Sequence, residues 1–434
     1  MSESHSQKRR RSPRRWIVPP GLSTDGEPFA GYRVLEEMKD GGLALLLWQA
    51  LRDVELWAAT EPERRAELFP AEAWERRAGA VAALPLDSGL RAPLRDLARV
   101  LDPGAGDLPE AELAEACLAV SRWASERSLP RTAMTFAQVA AIAASEAAAP
   151  CYTVGLLARR AADYRRAETW FRRCIGLARR ARDWKFYGLG CVGLGNLFIQ
   201  RGDYPTARSW LFKALRASRR HGLWNVKPMA LHDLCCVAII GGKVEEVLGY
   251  ARAAFKAYGR HHPRVVALAH DVAFFWMLQG YFAQALPVFR AVLTQPLDRP
   301  HRLLAQSSLA RAAAGVGDRF GFADAWAATW RMVDEGDDSE KMAEALINLA
   351  QGAATLGDVD RAQMAASQAL AVAIKRAEAE QRVVAEALLD STRTLKQRTG
   401  AAAPSAPAPA PVPEGASALA ADFVEVLSGG MAQA

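Results

Sequence analysis

The chain has 434 residues, half of them hydrophobic, and a formal net charge of +7. That length suits two or three compact domains or one elongated repeat array. An Ala- and Leu-rich middle, poor in Pro and Gly, points to helices. The charge does not describe a basic surface: Lys8, Arg9, Arg10, Arg11, Arg14 and Arg15 stand against Glu3 near the start, which leaves a nearly balanced body.

Pro19, Pro20, Asp25 and Glu27 follow the Arg run where a secretory leader needs an apolar stretch. Arg52, Asp53 and Glu55 interrupt the apolar run from Leu43 to Leu56, so no bilayer span is expected there. The expected location is cytoplasmic. Cys117, Cys151, Cys174, Cys191, Cys235 and Cys236 form no C-x-x-C pair and read as reduced, small core residues.

In chain order, residues 1–30 are polar, Arg-rich and then Pro/Gly-punctuated, and are expected to be a disordered basic tail. Residues 31–109 form an N-terminal helical region. Its clearest helix is Leu43–Ala59, with Ala44, Leu47, Trp48, Leu51, Val54 and Ala58 at helical spacing. Helices are also expected around Ala71–Ala83 and Leu90–Val100. The turn-rich Leu101–Pro109 segment marks a boundary. Residues 110–398 carry the repeats described below. Residues 399–434 combine an Ala/Pro-rich linker with a short apolar piece, Ala418–Leu427. Such a linker leaves that piece free to fold back into a groove of the repeats as an internal inhibitor.

The middle of the chain repeats itself. One unit runs Leu194, Gly195, Phe198, Gly202-Asp203-Tyr204, Ala207, Leu211, Ala214. Others place Val154-Gly155 before Ala162-Asp163-Tyr164, Ala167 and Phe171, or Leu349-Ala350 before Gly357-Asp358-Val359, Ala362 and Ala366. Anchors of the second helices fall at Ala133, Ala167, Ala207, Val247, Ala285, Ala325 and Ala362. The unit that begins with Leu309-Ala310 is read with a turn about three residues longer, around Phe320-Gly321-Phe322. Regular intervals of this size mean stacked supersecondary units. The amphipathic segment 377–396 suits a capping helix.

This frame resembles the tetratricopeptide repeat, W-x2-L-G-x2-Y, then A-x3-F, then P. Leu194-Gly195-x2-Phe198 and Val154-Gly155 match its first half, and Ala167-x3-Phe171 and Ala285-x3-Phe289 its second. Cys117, Cys151 or Cys191 stands where the first helix has its aromatic, and most intervals exceed the usual 34. Longer units of this kind are similar to those of bacterial peptide-sensing regulators and scaffold proteins. The resemblance implies an all-α solenoid, a right-handed superhelix of antiparallel helix pairs whose concave face, lined by first helices, binds a peptide or helix of a protein partner.

Carried onto this chain, that face would present Asn196, His232, Asp233, His270, Asp271, Ser307, Ser308, Arg311, Asn348 and Gln351. The residues needed to clamp a C-terminal carboxylate are not reproduced by His232-Asp233 and His270-Asp271. Residues one repeat apart lie too widely spaced to converge on zinc, so no metal is expected. Glycine loops, G-x-S-x-G and H-E-x-x-H are missing, so neither enzyme activity nor a cofactor is expected. The main reading is a non-enzymatic adaptor or scaffold. The alternative is a regulatory sensor whose tail, Lys8, Arg9, Arg10, Arg11, Arg14 and Arg15, contacts nucleic acid or another polyanion. The tryptophans on second helices (Trp170, Trp210, Trp326 and Trp330) read as packing groups.

Overall fold

A computed structural model describes residues 32–38, 40–70, 72–83, 89–102, 104, 108–336, 341–397 and 411–429. The basic tail and the Ala/Pro-rich stretch lie outside them. Among the described residues the chain is all helix with no strands: an α-solenoid of antiparallel pairs with the tetratricopeptide-type frame. The contact pattern divides it into two units, residues 1–233 and 234–434.

Unit 1 begins with α1 (Tyr32–Glu37), α2 (Gly41–Ala59), α3 (Glu72–Ala82) and α4 (Arg91–Ala98), with 3-10 turns at Pro62–Glu67 and Arg99–Leu101. Three helix pairs follow: α5 (Glu110–Glu126) with α6 (Pro130–Ala143), α7 (Ala148–Arg160) with α8 (Tyr164–Ala181), and α9 (Trp184–Gln200) with α10 (Tyr204–His221). The division falls inside α11 (Val226–Ile240). Unit 2 continues with α12 (Val244–Tyr258), then α13 (Arg264–Leu278) with α14 (Phe282–Leu293), α15 (Arg299–Gly315) with α16 (Arg319–Asp334), and α17 (Met342–Thr355) with α18 (Val359–Lys375). It ends with α19 (Ala379–Gln397) and α20 (Ala416–Gly429).

Residues 31–109 share their core with the repeats. One buried cluster runs from Val34, Leu47, Leu51 and Val54 through Leu94 and Leu97 to Phe136, Val139 and Cys174. The carboxylate of Glu37, at the end of α1, accepts from the backbone N–H groups of Arg131 (2.9 Å) and Thr132 (2.7 Å). It thereby satisfies orphan donors at the start of α6 and places a negative charge at the positive end of that helix.

The repeat turns explain the G-D signature. Gly202 adopts φ +73°, the left-handed conformation that closes α9. Asp203 donates its N–H to the Phe198 carbonyl (2.9 Å), and its side chain accepts from the Thr206 N–H (3.1 Å) to open α10. Two residues thus end one helix and start the next. Asp163, Asp183, Asp318 and Asp358 cap α8, α9, α16 and α18 in the same way.

The anchors Ala133, Ala167, Ala207, Val247, Ala285 and Ala362 are all completely buried. Each lies five residues after a positive-φ residue: Ser128, Ala162, Gly202, Gly242, Gly280 and Gly357. The unit after α15 corrects the expected longer turn. Gly317 and Asp318 form a turn of the usual length, and α16 starts at Arg319. The anchor five residues on is Phe322, not Ala325. A phenyl ring fits there because Gly352 faces it; a Cβ on Gly352 would lie 3.0 Å from the ring. Phe171 shows the same exchange, its ring seated where Gly155 and Gly193 leave space. The tryptophans pack as expected for Trp170 and Trp326, both buried, and Trp326 stacks on Trp330.

Candidate functional site

The first helices of unit 2 bring one polar group together. Ser307, Ser308 and Arg311 lie on α15, and Asn348 and Gln351 lie on one face of α17, a turn apart. Asn348 Nδ2 reaches both Ser307 Oγ and Ser308 Oγ at 3.4 Å. Its Oδ1 accepts from the Arg311 guanidinium at 3.2 Å. Ser307, Ser308 and Asn348 are buried, so they support the surface from below rather than line it.

Arg311 is the unusual member. Burial pushes its guanidinium down from its ordinary value to about 10. It still carries its charge at neutral pH, yet among the described residues no carboxylate pairs with it. A single amide oxygen is a neutral acceptor for one of five donors. Close by in sequence and on the same face as Asn348, Gln351 holds a buried Oε1 with no partner. A largely desolvated guanidinium suits a carboxylate, which takes its fork bidentately and restores the lost solvation.

Further along unit 2, His270 is bedded between Phe274 (ring centroids 6.3 Å) and the edge of Phe289 (5.7 Å). Its Nδ1 lies 3.6 Å from Asp271, and its Nε2 is buried without a partner. Asp271 also accepts from the Cys236 thiol at 3.8 Å. The ring therefore points into packed aromatics, and Asp271 is the more exposed of the pair. In unit 1, Asn196 Nδ2 donates to Asp233 at 2.7 Å and to the Val192 carbonyl at 3.3 Å. His232 is buried, which removes it from any direct surface role. Lys8, Arg9, Arg10, Arg11, Arg14 and Arg15 lie outside the described residues.

Two features escaped sequence reasoning. Cys236 was grouped with inert core thiols, although it touches Asp271. A cleft of about 660 Å³ in unit 1, lined by Gln138, Met134, Arg131, Arg160 and Arg166, carries no sequence signature. The other five cysteines are buried, and burial pushes the thiols of Cys151 and Cys191 up to about 11 and about 12. No described helix is long and apolar enough to cross a membrane.

No family model matches the chain, and no curated protein matches it. Solved structures with a related fold include BtubC from P. vanneervenii, at 15% identity and a TM-score of 0.40, covering 53% of this chain and 92% of that one. The Cut9–Hcn1 hetero-tetramer of the APC/C gives 12% identity and a TM-score of 0.46, covering 82% and 63%. A Rap protein complexed with competence and sporulation factor gives 10% and 0.41, covering 82% and 98%.

Proposed function

We propose that this chain is a non-enzymatic protein-binding module, and that the first-helix face of unit 2 takes a partner segment bearing a carboxylate, with Arg311 as its anchor. The carrying observation is the half-buried guanidinium that, among the described residues, is partnered by the Asn348 amide and by no carboxylate. Holding that charge out of water costs on the order of 3 kcal/mol. A bound Asp, Glu or terminal carboxylate offsets the cost, so the site discriminates strongly in favour of an acid at one position of the peptide. Asp271 lies one helix pair away on the same type of helix and favours a basic or hydroxyl-bearing residue elsewhere in the segment.

The test is selection of a random peptide library on the full chain and on Arg311→Leu. The expected result is a consensus with Asp or Glu at one fixed position on the wild type, and its loss on the variant. Recovery of one consensus from both proteins overturns the anchor, and recovery of no peptide from the wild type overturns the binding face.

A further inference from the structure

The C-terminal helix does fold back, but not where the sequence reading places it. α20 lies mainly along the second helix α14, also touches the first helix α13, and meets α12 through side chains. Its contacts fix its direction. Near its start, Arg252 donates to the Glu414 carbonyl (3.2 Å) and Gln284 to Ser417 Oγ (3.3 Å). Near its end, Arg260 pairs with Glu425 (2.5 Å) and Gln295 donates to the Leu427 carbonyl (2.7 Å). Arg252 precedes Arg260, and Gln284 precedes Gln295, so α20 runs parallel to both neighbours.

Ala416, Leu419, Ala420, Phe423 and Leu427 form one buried stripe at helical spacing. Phe423 is completely buried and meets Phe255 edge to face at 5.2 Å. The remaining surface of α20 is acidic and carries no basic residue: Glu414 precedes it and Asp422 and Glu425 lie on it. The α12 side it meets is basic: Arg252 and Arg260 both reach it, and Lys256 lies between them in sequence. Gly415, at φ +78°, sits directly under the Arg252 guanidinium, where no side chain fits.

We propose that the channel between α12 and α14 is a binding site for an amphipathic helix with acidic flanks, that α20 occupies it in cis as a tethered stand-in, and that a partner helix of the pattern A-x2-L-A-x2-F-x3-L displaces it. Two independent matches on this surface support a partner of that chemistry: an apolar stripe that fits the channel, and opposite charges along the α12 edge. The Ala/Pro-rich chain between α19 and α20 makes occupancy intramolecular. Tethers of this length act at millimolar effective concentration, so a free helix of equal intrinsic affinity is largely shut out until α20 is weakened. The channel is built on α12, α13 and α14, whereas the Arg311 group lies on α15 and α17, so the two proposals stand or fall apart.

The probe is a labelled synthetic peptide of residues 413–429, followed by fluorescence anisotropy with three full-length proteins. Wild type should bind it weakly. Phe423→Asp, which puts a charge into the apolar channel, should release α20 and bind the peptide at least about tenfold more tightly, as expected when a millimolar cis competitor is removed. Adding Arg260→Glu to that variant should weaken binding and reduce its salt dependence. Circular dichroism establishes that each protein is folded. A folded Phe423→Asp chain that binds no better than wild type overturns the proposal. So does a wild-type dimer, by light scattering, that Phe423→Asp dissolves, because the channel would then hold α20 from a second copy.

Discussion

Ala162 occupies the left-handed position, φ +57°, that Gly202, Gly242, Gly280, Gly317 and Gly357 fill at equivalent turns. A Cβ in that conformation is strained by roughly 1–2 kcal/mol, so Ala162→Gly should raise stability by about 1 kcal/mol in urea denaturation after the entropy of glycine is counted. Arg311 tests the opposite kind of strain. The folded state lowers its pKa to about 10, below its ordinary value, so the folded protein binds that proton less readily than the unfolded chain. The penalty is complete below pH 10 and fades as pH rises above it. Arg311→Leu should therefore leave the melting temperature unchanged or raise it at neutral pH. The gap between variant and wild type should narrow above pH 10. A large destabilisation at pH 7 would show that the guanidinium has a structural role. The sequence identified Arg311 by its position in the frame. It did not show the missing counter-ion, because that depends on which side chains from α15 and α17 converge across 37 positions.

At the scale of elements, the pairs were legible because the turn residues carry their own chemistry. Asp203 closes and opens helices through groups that its neighbours cannot replace, and Asp203→Ala should cost about 1 kcal/mol. The same substitution at the exposed Asp390 should be near neutral. Close packing was half legible. Gly193 has its packing partner, Phe171, on another helix; a Cβ at Gly193 would meet that ring at 2.5 Å. Gly193→Ala should destabilise unit 1 by about 1–3 kcal/mol, measurable as a lowered urea midpoint with an unchanged slope. The misplaced anchor at Ala325 has the same origin. A small residue was sought at the crossing, whereas the chain places Phe322 there and moves the small residue to Gly352 on another helix. Size complementarity is a property of pairs, and one strand of text shows only one member at a time.

At the scale of the molecule, the helical solenoid followed from the repeat interval, while the division after Asp233 had no sequence mark. It falls inside α11, where neither composition nor punctuation changes. Residues on both sides of the turn-rich segment near residue 109 share a continuous core, and Glu37 on α1 caps α6 across it. The apolar Ala418–Leu427 segment was recognised as a piece able to fold back. The face it chose depends on basic residues of α12 that mean little until α20 lies beside them. The two proposals make separate demands: a carboxylate at the Arg311 face, and an amphipathic helix at the α12–α14 channel. Isothermal titration of one acid-anchored peptide, chosen by the wild-type chain, into wild type and Arg311→Leu bears most directly on the central claim. The account predicts at least about a hundredfold weaker binding to the variant, as expected when a buried charged partner is removed, with folding intact. Equal affinity for both proteins would contradict it and leave Arg311 as a buried charge with no part in recognition.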